Sequence, residues 1–328
     1  MCGIVGYVGY DEAAGKIIEG LKKLEYRGYD SSGIAILSDK GIELNKCKGE
    51  IKNLENMIAG RVPSGTCGIG HTRWATHGAP SDVNSHPHMD QSGRVALVHN
   101  GIVENYVELK EALVNEHGIK FKSETDSEVI AQLVGVKYNA NGGDLEKAVY
   151  DATKEMRGTY AIGVIAEDTP NKIVAYRKEA PLIAGLGKKS NFIASDIPAL
   201  LKYTNDIFLI ENDEMVTCTP DSITIKDKDG KEVKREAMKI TWSVEDAEKG
   251  GYEHFMLKEI NEQPKVVAET LNRRIDEDGK IKLDGINLTK EELDKYNKIY
   301  IVACGTAYHA GLVGKYVIEK MAGIAVEV

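Results

Sequence analysis

The chain has 328 residues, 42% of them hydrophobic and 28% charged, with a formal net charge of −9. That length accommodates two domains with a full core, and the composition is that of an ordinary folded protein, which excludes a disordered or fibrous chain. The negative charge excludes a general nucleic-acid or anionic-membrane binder while leaving room for a local basic pocket, and no apolar run approaches the ~20 residues of a membrane span. Cys2, Cys47, Cys67, Cys218 and Cys304 stand singly, without a CxxC pair, which fits reduced thiols in a cytoplasm and small-molecule partners, with no nucleic acid and no membrane.

In MCGIVGYVG, Ile4 to Val8 reads as a short strand. Loss of Met1 would leave Cys2 with a thiol and a free α-amine on one carbon, a nucleophile with its base attached. The thiol has an ordinary pKa of about 8.5 and the amine about 7.7–8.0. The plainer reading is a small apolar residue near a terminus. A helix follows, with Asp11 as N-cap and Ala14, Ile17, Ile18, Leu21 and Leu24 on one face. Two strands joined at Asp39 and Lys40 form a hairpin, and Ile51, Leu54 and Ile58 mark one side of a second helix.

Residues 67 to 101 carry five of the eight histidines together with Arg73, Trp74 and Asn100. Val95 to Val98 reads as a buried strand, which places His99, Asn100 and Gly101 at its end in an exposed loop. Asn100 offers an amide donor and Gly101 an approachable backbone N–H, the pair an oxyanion hole needs; an Asn-Gly pair is also a common turn. Arg73 is either a solvated charge or a two-pronged fork for a carboxylate, and Trp74 either core or a lid. His86 and His88 admit a metal reading, but their spacing matches no ligand pattern, so no metal and no cofactor are expected.

NYVELKEALVNEHG is helical with Gly118 at its C-cap, and SETDSEVIAQLVGVKYN is helical with Ser123 or Thr125 as cap and Val129, Ile130 and Leu133 inward. Asp126 in its first turn either complements the helix dipole or binds an ammonium group, clamping an amino acid together with Arg73. From Tyr160 the segments YAIGVIA, KIVAYRK, NFIASD, DIFLIEN, EMVTC and SITIKD read as strands, giving a layered α+β domain that ends near Ile240.

MCGIVGYVG, LEYRGYDSSG, HTRWATHG, HPH, VHNGIVEN and SETDSEV, in this order, resemble the glutaminase half of the glutamine–fructose-6-phosphate aminotransferases, a family of N-terminal-nucleophile amidotransferases. The resemblance implies a four-layer αββα sandwich in which the nucleophile begins an inner strand. It implies Cys2 as nucleophile on L-glutamine with its α-amine as base, and Asn100 with the Gly101 N–H as oxyanion hole. Arg73 and Asp126 would hold the substrate's charged ends, Thr76 and His77 would line the same pocket, Trp74 would belong to a closing loop, and Arg27 would lie beside the nucleophile. Sibling amidotransferases acting on phosphoribosylpyrophosphate or aspartate share the Cys2 logic, and a glutamine-sensing module without turnover is the alternative from another class.

KIYIVACGTAYHAGLVGKYVIEKMAGIAVEV reads as strand, tight turn, helix, strand, a βαβ unit in which Gly305 and Thr306 can face a phosphate. It resembles the start of the same family's sugar-isomerase domain, with Ala307 where many members have serine. The expected layout is a glutaminase domain over 1–241, a linker and helical connector over 242–296, and an incomplete α/β isomerase domain over 297–328. Fructose 6-phosphate is then a partner only when the rest of that domain is supplied, and the homodimer that the resemblance implies is that of the full-length family.

Overall fold

In the computed structural model, the described residues are 2–75, 78–241, 251–272, 274–275, 279–281 and 288–328. Chain contacts divide into two units, Met1–Phe255 and Met256–Val328.

The first unit begins with β1 (Gly3–Gly9), buried along its whole length. Its side chains alternate: Ile4 and Val8 face a second sheet, whereas Val5 and Tyr7 face helices. That two-sided burial is why GIVGYVG is apolar without a break. α1 (Ala13–Lys22) follows, and Glu12 precedes it in place of the expected Asp11 cap. The Glu12 carboxylate accepts instead from the Ser64 hydroxyl at 3.0 Å and the Gly65 N–H at 2.9 Å. A single turn at Glu25–Arg27 leads to the hairpin β2 (Ser31–Ser38) and β3 (Gly41–Lys48), which turns at residues 39 and 40 as read from the sequence. α2 (Ile51–Ile58) buries Ile51, Leu54 and Ile58, and β4 (Cys67–Arg73) completes this half.

β5 (His88–Met89) and β6 (Val95–Val103) begin the second sheet. α3 (Tyr106–His117) ends at Gly118, whose φ of 65° suits a left-handed C-cap, and α4 (Asp126–Ala140) is capped by the Thr125 side chain, which accepts from the Glu128 N–H. α5 (Leu145–Glu155) was not read from the sequence, although Asp144 caps it and Leu145, Ala148, Val149 and Ala152 are buried at helical spacing. Then come β7 (Gly158–Ala166), β8 (Ile173–Lys178), β9 (Ile183–Leu186), β10 (Ser190–Ala194), β11 (Asp206–Leu209), β12 (Glu214–Cys218), β13 (Ile223–Lys226) and β14 (Met238–Lys239).

The two sheets run in the orders β14-β11-β9-β10-β1-β4-β2-β3 and β13-β12-β8-β7-β6-β5. Neighbouring strands in both are antiparallel. Three buried clusters separate four layers. One lies between α1, α2 and the first sheet, one between the sheets, and one between the second sheet and α3, α4 and α5. This is the expected αββα arrangement of an α+β fold, with β1 in the interior of its sheet.

One reading is overturned. His99, Asn100 and Gly101 do not terminate a strand in an exposed loop; β6 pairs with β7 from Val95↔Ala166 through Val103↔Gly158, so all three lie inside it. Gly101 has a φ of 122°, and a Cβ there would collide with the Thr159 carbonyl oxygen. The pair therefore sits in a ladder whose partner arrives from far along the chain, not in a turn.

α6 (Phe255–Asn272), all but its first residue in the second unit, contains Pro264, and α7 (Lys290–Leu293) is a short helix of the second unit. β15 (Lys298–Tyr300) and β16 (Ala325–Glu327) pair in parallel across α8 (Gly305–Ala322), the expected βαβ unit. Much of the expected connector, 242–250, 276–278 and 282–287, lies outside the described residues. Among the described residues no helix is long and apolar enough to cross a membrane.

Two glycines should respond oppositely to alanine. Gly15 is exposed within α1 and a Cβ there meets nothing within 4 Å, so Gly15→Ala is expected to stabilise by about 0.5–1 kcal/mol. Gly101→Ala is expected to destabilise by at least about 3 kcal/mol. Urea unfolding monitored by circular dichroism checks both signs.

Candidate active site

The polar residues of this site continue the core between the sheets. On β1 the inward row is Val8, Gly6, Ile4 and then Cys2; on β4 it is Cys67, Ile69, His71 and Arg73; on β6 it is Ala96, Val98 and Asn100. Each row is apolar until its last members, so alternation alone brings Cys2, His71, Arg73 and Asn100 to one end of the interface.

Strand pairing of β1 with β4 stops at Gly3↔Thr72, and beyond it the Cys2 carbonyl is held by side chains. Arg27 Nε donates to it at 3.1 Å and Asn100 Nδ2 donates to it at 3.1 Å. The thiol lies against the next residues of β4's exit, with the Trp74 N–H donating to Cys2 Sγ at 3.2 Å. Burial raises the Cys2 thiol above its ordinary pKa, outweighing the Trp74 N–H and the Arg73 charge, which pull it down.

The orientation of the Asn100 amide is set from behind. His71 Nε2 contacts only acceptors, Asn100 Oδ1 at 2.9 Å and the His99 carbonyl at 3.0 Å. Nε2 therefore carries the proton, Oδ1 is turned toward His71, and Nδ2 is turned toward Cys2. His71 stacks on His86 at 4.1 Å between ring centroids, and His86 meets His88 edge-on at 4.9 Å. His88 in turn lines a cleft of about 710 Å³ together with Lys46, Glu128 and Gln132.

Arg73 is buried and its Nη2 donates to the Gly78 carbonyl at 3.0 Å. Asp126 is buried at the start of α4, where its Oδ2 accepts from the Val103 N–H at 2.9 Å. His99, whose Nδ1 bonds the Ser127 hydroxyl at 2.8 Å, lies 4.0 Å from the other Asp126 oxygen. Trp74 is not core: it is 48% exposed and packs edge-on against Tyr29 at 5.6 Å. Gly101 is exposed, two residues from the Asp126 contact. Thr76 and His77 lie outside the described residues. Gly305 and Thr306 open α8 in the second unit, Gly305 with a φ of 60°.

The sequence reading missed Asp30. Its N–H donates to the Arg73 carbonyl at 3.1 Å, and its carboxylate accepts the Ala75 N–H, so it fixes the backbone carrying Trp74. Gly28 belongs to the same device, since a Cβ there would sit 2.6 Å from the Arg73 carbonyl carbon. Both stand in YRGYDSSG, where the close spacing of a glycine and an acid after an arginine was the available signal. Among the described residues no group of three or more His, Cys, Asp or Glu side chains is placed to hold a metal ion. His86 and His88, the candidate ligands, instead belong to the stack.

Residues 71–202 match the family model described as glutamine amidotransferase domain. The chain is 57% identical over 328 residues to the glutamine–fructose-6-phosphate aminotransferases [isomerizing] of Clostridium tetani and Clostridium perfringens, an alignment that covers 100% of this chain and 53% of each relative. The chain thus spans about half the length of the curated relatives it matches. Among solved structures, the glutamine phosphoribosylpyrophosphate amidotransferase from B. subtilis superposes with a TM-score of 0.60 at 25% identity, over 69% of this chain and 49% of that one. The fold, the family match and the structural neighbour together support a glutamine amidotransferase domain of the N-terminal-nucleophile type. Residues 71–202 thus match a glutamine amidotransferase domain, and the chain's likeness to the aminotransferases extends through the second unit as well.

The buried imidazoles carry a consequence for stability. Burial holds His71 down to about 3, and it lowers His86, His88 and His99 as well, the first two with help from their neighbours' charge. Each ring takes up a proton more readily in the unfolded chain. Their contribution is therefore complete above about pH 6.5 and is lost as pH falls toward the depressed folded values, at about 1.4 kcal/mol per pH unit for each histidine. Urea unfolding is expected to lose at least about 1 kcal/mol between pH 7 and pH 5.5, the share of His71, and a flat profile would contradict the neutral stack.

Proposed function

We propose that the chain hydrolyses L-glutamine to glutamate and ammonia, with Cys2 as the nucleophile once Met1 has been removed. The observation that carries this reading is the seating of Cys2 at the head of β1, its carbonyl fixed by Arg27 and Asn100 and its thiol beside the Trp74 N–H. In the proposed reaction the α-amine takes the thiol proton, and Sγ attacks the side-chain amide carbon. Asn100 Nδ2, with the hydrogen not donated to Cys2, and the Gly101 N–H stabilise the resulting oxyanion. The C–N bond then breaks, the amine's proton leaves with ammonia, and water cleaves the thioester to glutamate and free thiol. Arg73 and Asp126 supply the charges complementary to the α-carboxylate and α-ammonium groups of glutamine.

The relatives' names give fructose 6-phosphate as the second substrate. We infer that the ammonia is destined for that sugar phosphate, and that Gly305 and Thr306 at the start of α8 contribute to its phosphate site. The same reading assigns a glutaminase domain to 1–241, a connector to 242–296 and isomerase-type structure to 297–328.

Intact mass and product analysis test the proposal together. Active protein is expected to lack the mass of methionine and to release glutamate and ammonia in equal amounts. Cys2→Ala is expected to abolish turnover while still binding glutamine in calorimetry; turnover that survives this change would refute the assignment. A protein that binds glutamine but never turns it over would instead be a sensor.

A further inference from the structure

We propose that Asp196 is a positioning residue for Cys2, acting through Arg27; this deepens the reading of Cys2 as the nucleophile and rests on it. β1 pairs with β10 only as far as Val5↔Ala194, and the two residues after Ala194 take over the fastening of the strand's head. Ser195 grips Ile4 from both sides, its N–H donating to the Ile4 carbonyl at 3.0 Å and its Oγ accepting from the Ile4 N–H at 2.9 Å. Asp196 reaches Cys2, two residues nearer the chain start, by way of the guanidinium.

An arginine side chain carries about 2 kcal/mol of rotamer freedom, so a donor on it is a precise tether only when the rest of the fork is anchored. Here Arg27 Nη1 donates to Asp196 Oδ2 at 2.8 Å while Nε of the same plane donates to the Cys2 carbonyl at 3.1 Å. The Arg27 side chain is 6% exposed and that of Asp196 32%. Asp196 is itself fixed. Its Oδ1 accepts from the Ile197 N–H at 2.8 Å, and its Oδ2 also accepts from the Tyr26 hydroxyl at 2.5 Å. Burial first, and the Asp196 carboxylate second, raise the Tyr26 phenol to about 12, so it remains a donor throughout the neutral range. A carboxylate that touches no reacting atom thus governs where the Cys2 carbonyl, and with it the thiol, can sit.

The test uses the full chain after Met1 removal has been verified by mass. Asp196→Asn is expected to lower kcat for glutamine hydrolysis by about 10- to 100-fold, with KM changed by less than about twofold, since displacement of a reacting group by about 1 Å has effects of that size. Asp196→Glu, which keeps the charge, is expected to recover most of the loss. In an Arg27→Met background Asp196→Asn is expected to cause no further fall, because both changes interrupt one connection. Hydrogen exchange of the Arg27 guanidinium Nε–H, followed by NMR, is expected to accelerate at least about 10-fold in Asp196→Asn, and this readout requires no turnover. Wild-type kcat in Asp196→Asn, an equal further loss in the Arg27→Met background, an effect confined to KM, or unchanged exchange would each overturn the proposal. Absence of turnover in the parent would instead defeat the glutaminase reading, and the exchange measurement would still decide on Asp196.

Discussion

Everything at the site depends on how the head of β1 is held once its ladder ends. A strand in the middle of a sheet has both backbone edges paired and both faces covered, so its residues have no freedom to meet a substrate. Only the first residue beyond the ladder escapes this. Cys2 occupies that place, and its carbonyl would be left with no strand partner but for Arg27 and Asn100. The antiparallel registers then dictate its neighbours. Pairing of Gly3 with Thr72 sets Arg73 and Trp74 on one side, and pairing of Val5 with Ala194 sets Ser195 and Asp196 on the other.

The facing sheet supplies the remaining wall by the same period of two. Val98 belongs to the core between the sheets, so Asn100 points toward Cys2, whereas Leu97 packs toward the helices and His99 follows it to reach Ser127 at the start of α4. One strand therefore serves two purposes with adjacent residues: Asn100 meets the Cys2 carbonyl, and His99 ties the strand to the helix that bears Asp126. Gly101 lets β7 approach closely enough to hold both in register.

Sequence legibility followed the range of the interactions. Helices and hairpins set by local periodicity and caps, such as α2 with Ile51, Leu54 and Ile58 or α3 with Gly118, were readable because their causes lie within a few residues. The Asn100-Gly101 pair misled because its short-range meaning is a turn, while its actual conformation is imposed by β7 more than fifty residues onward. Cys2, Arg73 and Asn100 were visible as chemistry, and the resemblance to a family assigned their roles. Asp196 had no such mark, and Asp30 only its place after Gly28 in YRGYDSSG: an acid that secures a backbone N–H or a neighbouring guanidinium looks in sequence like any solvated charge.

The electrostatics of the site limit what can serve as the base. A thiol that burial holds above its ordinary pKa is a poor nucleophile unless a proton acceptor is in reach. The surrounding imidazoles are unsuited to that task. His71 presents Nε2–H toward Asn100 and the His99 carbonyl, and with a pKa of about 3 it is too weak to take a proton from a thiol near neutrality. His86, His88 and His99 are lowered as well, and the Asp30 carboxylate is engaged by the Ala75 N–H and the Ser31 hydroxyl. The stack is thus a scaffold that orients the Asn100 amide while adding no charge beside Arg73. Within the proposed reaction this leaves the α-amine of Cys2 itself as the group whose ordinary pKa, about 7.7–8.0, matches the work. Removal of Met1 would then be the step that creates the base, while Arg27 and Asn100 fasten the residue by its carbonyl.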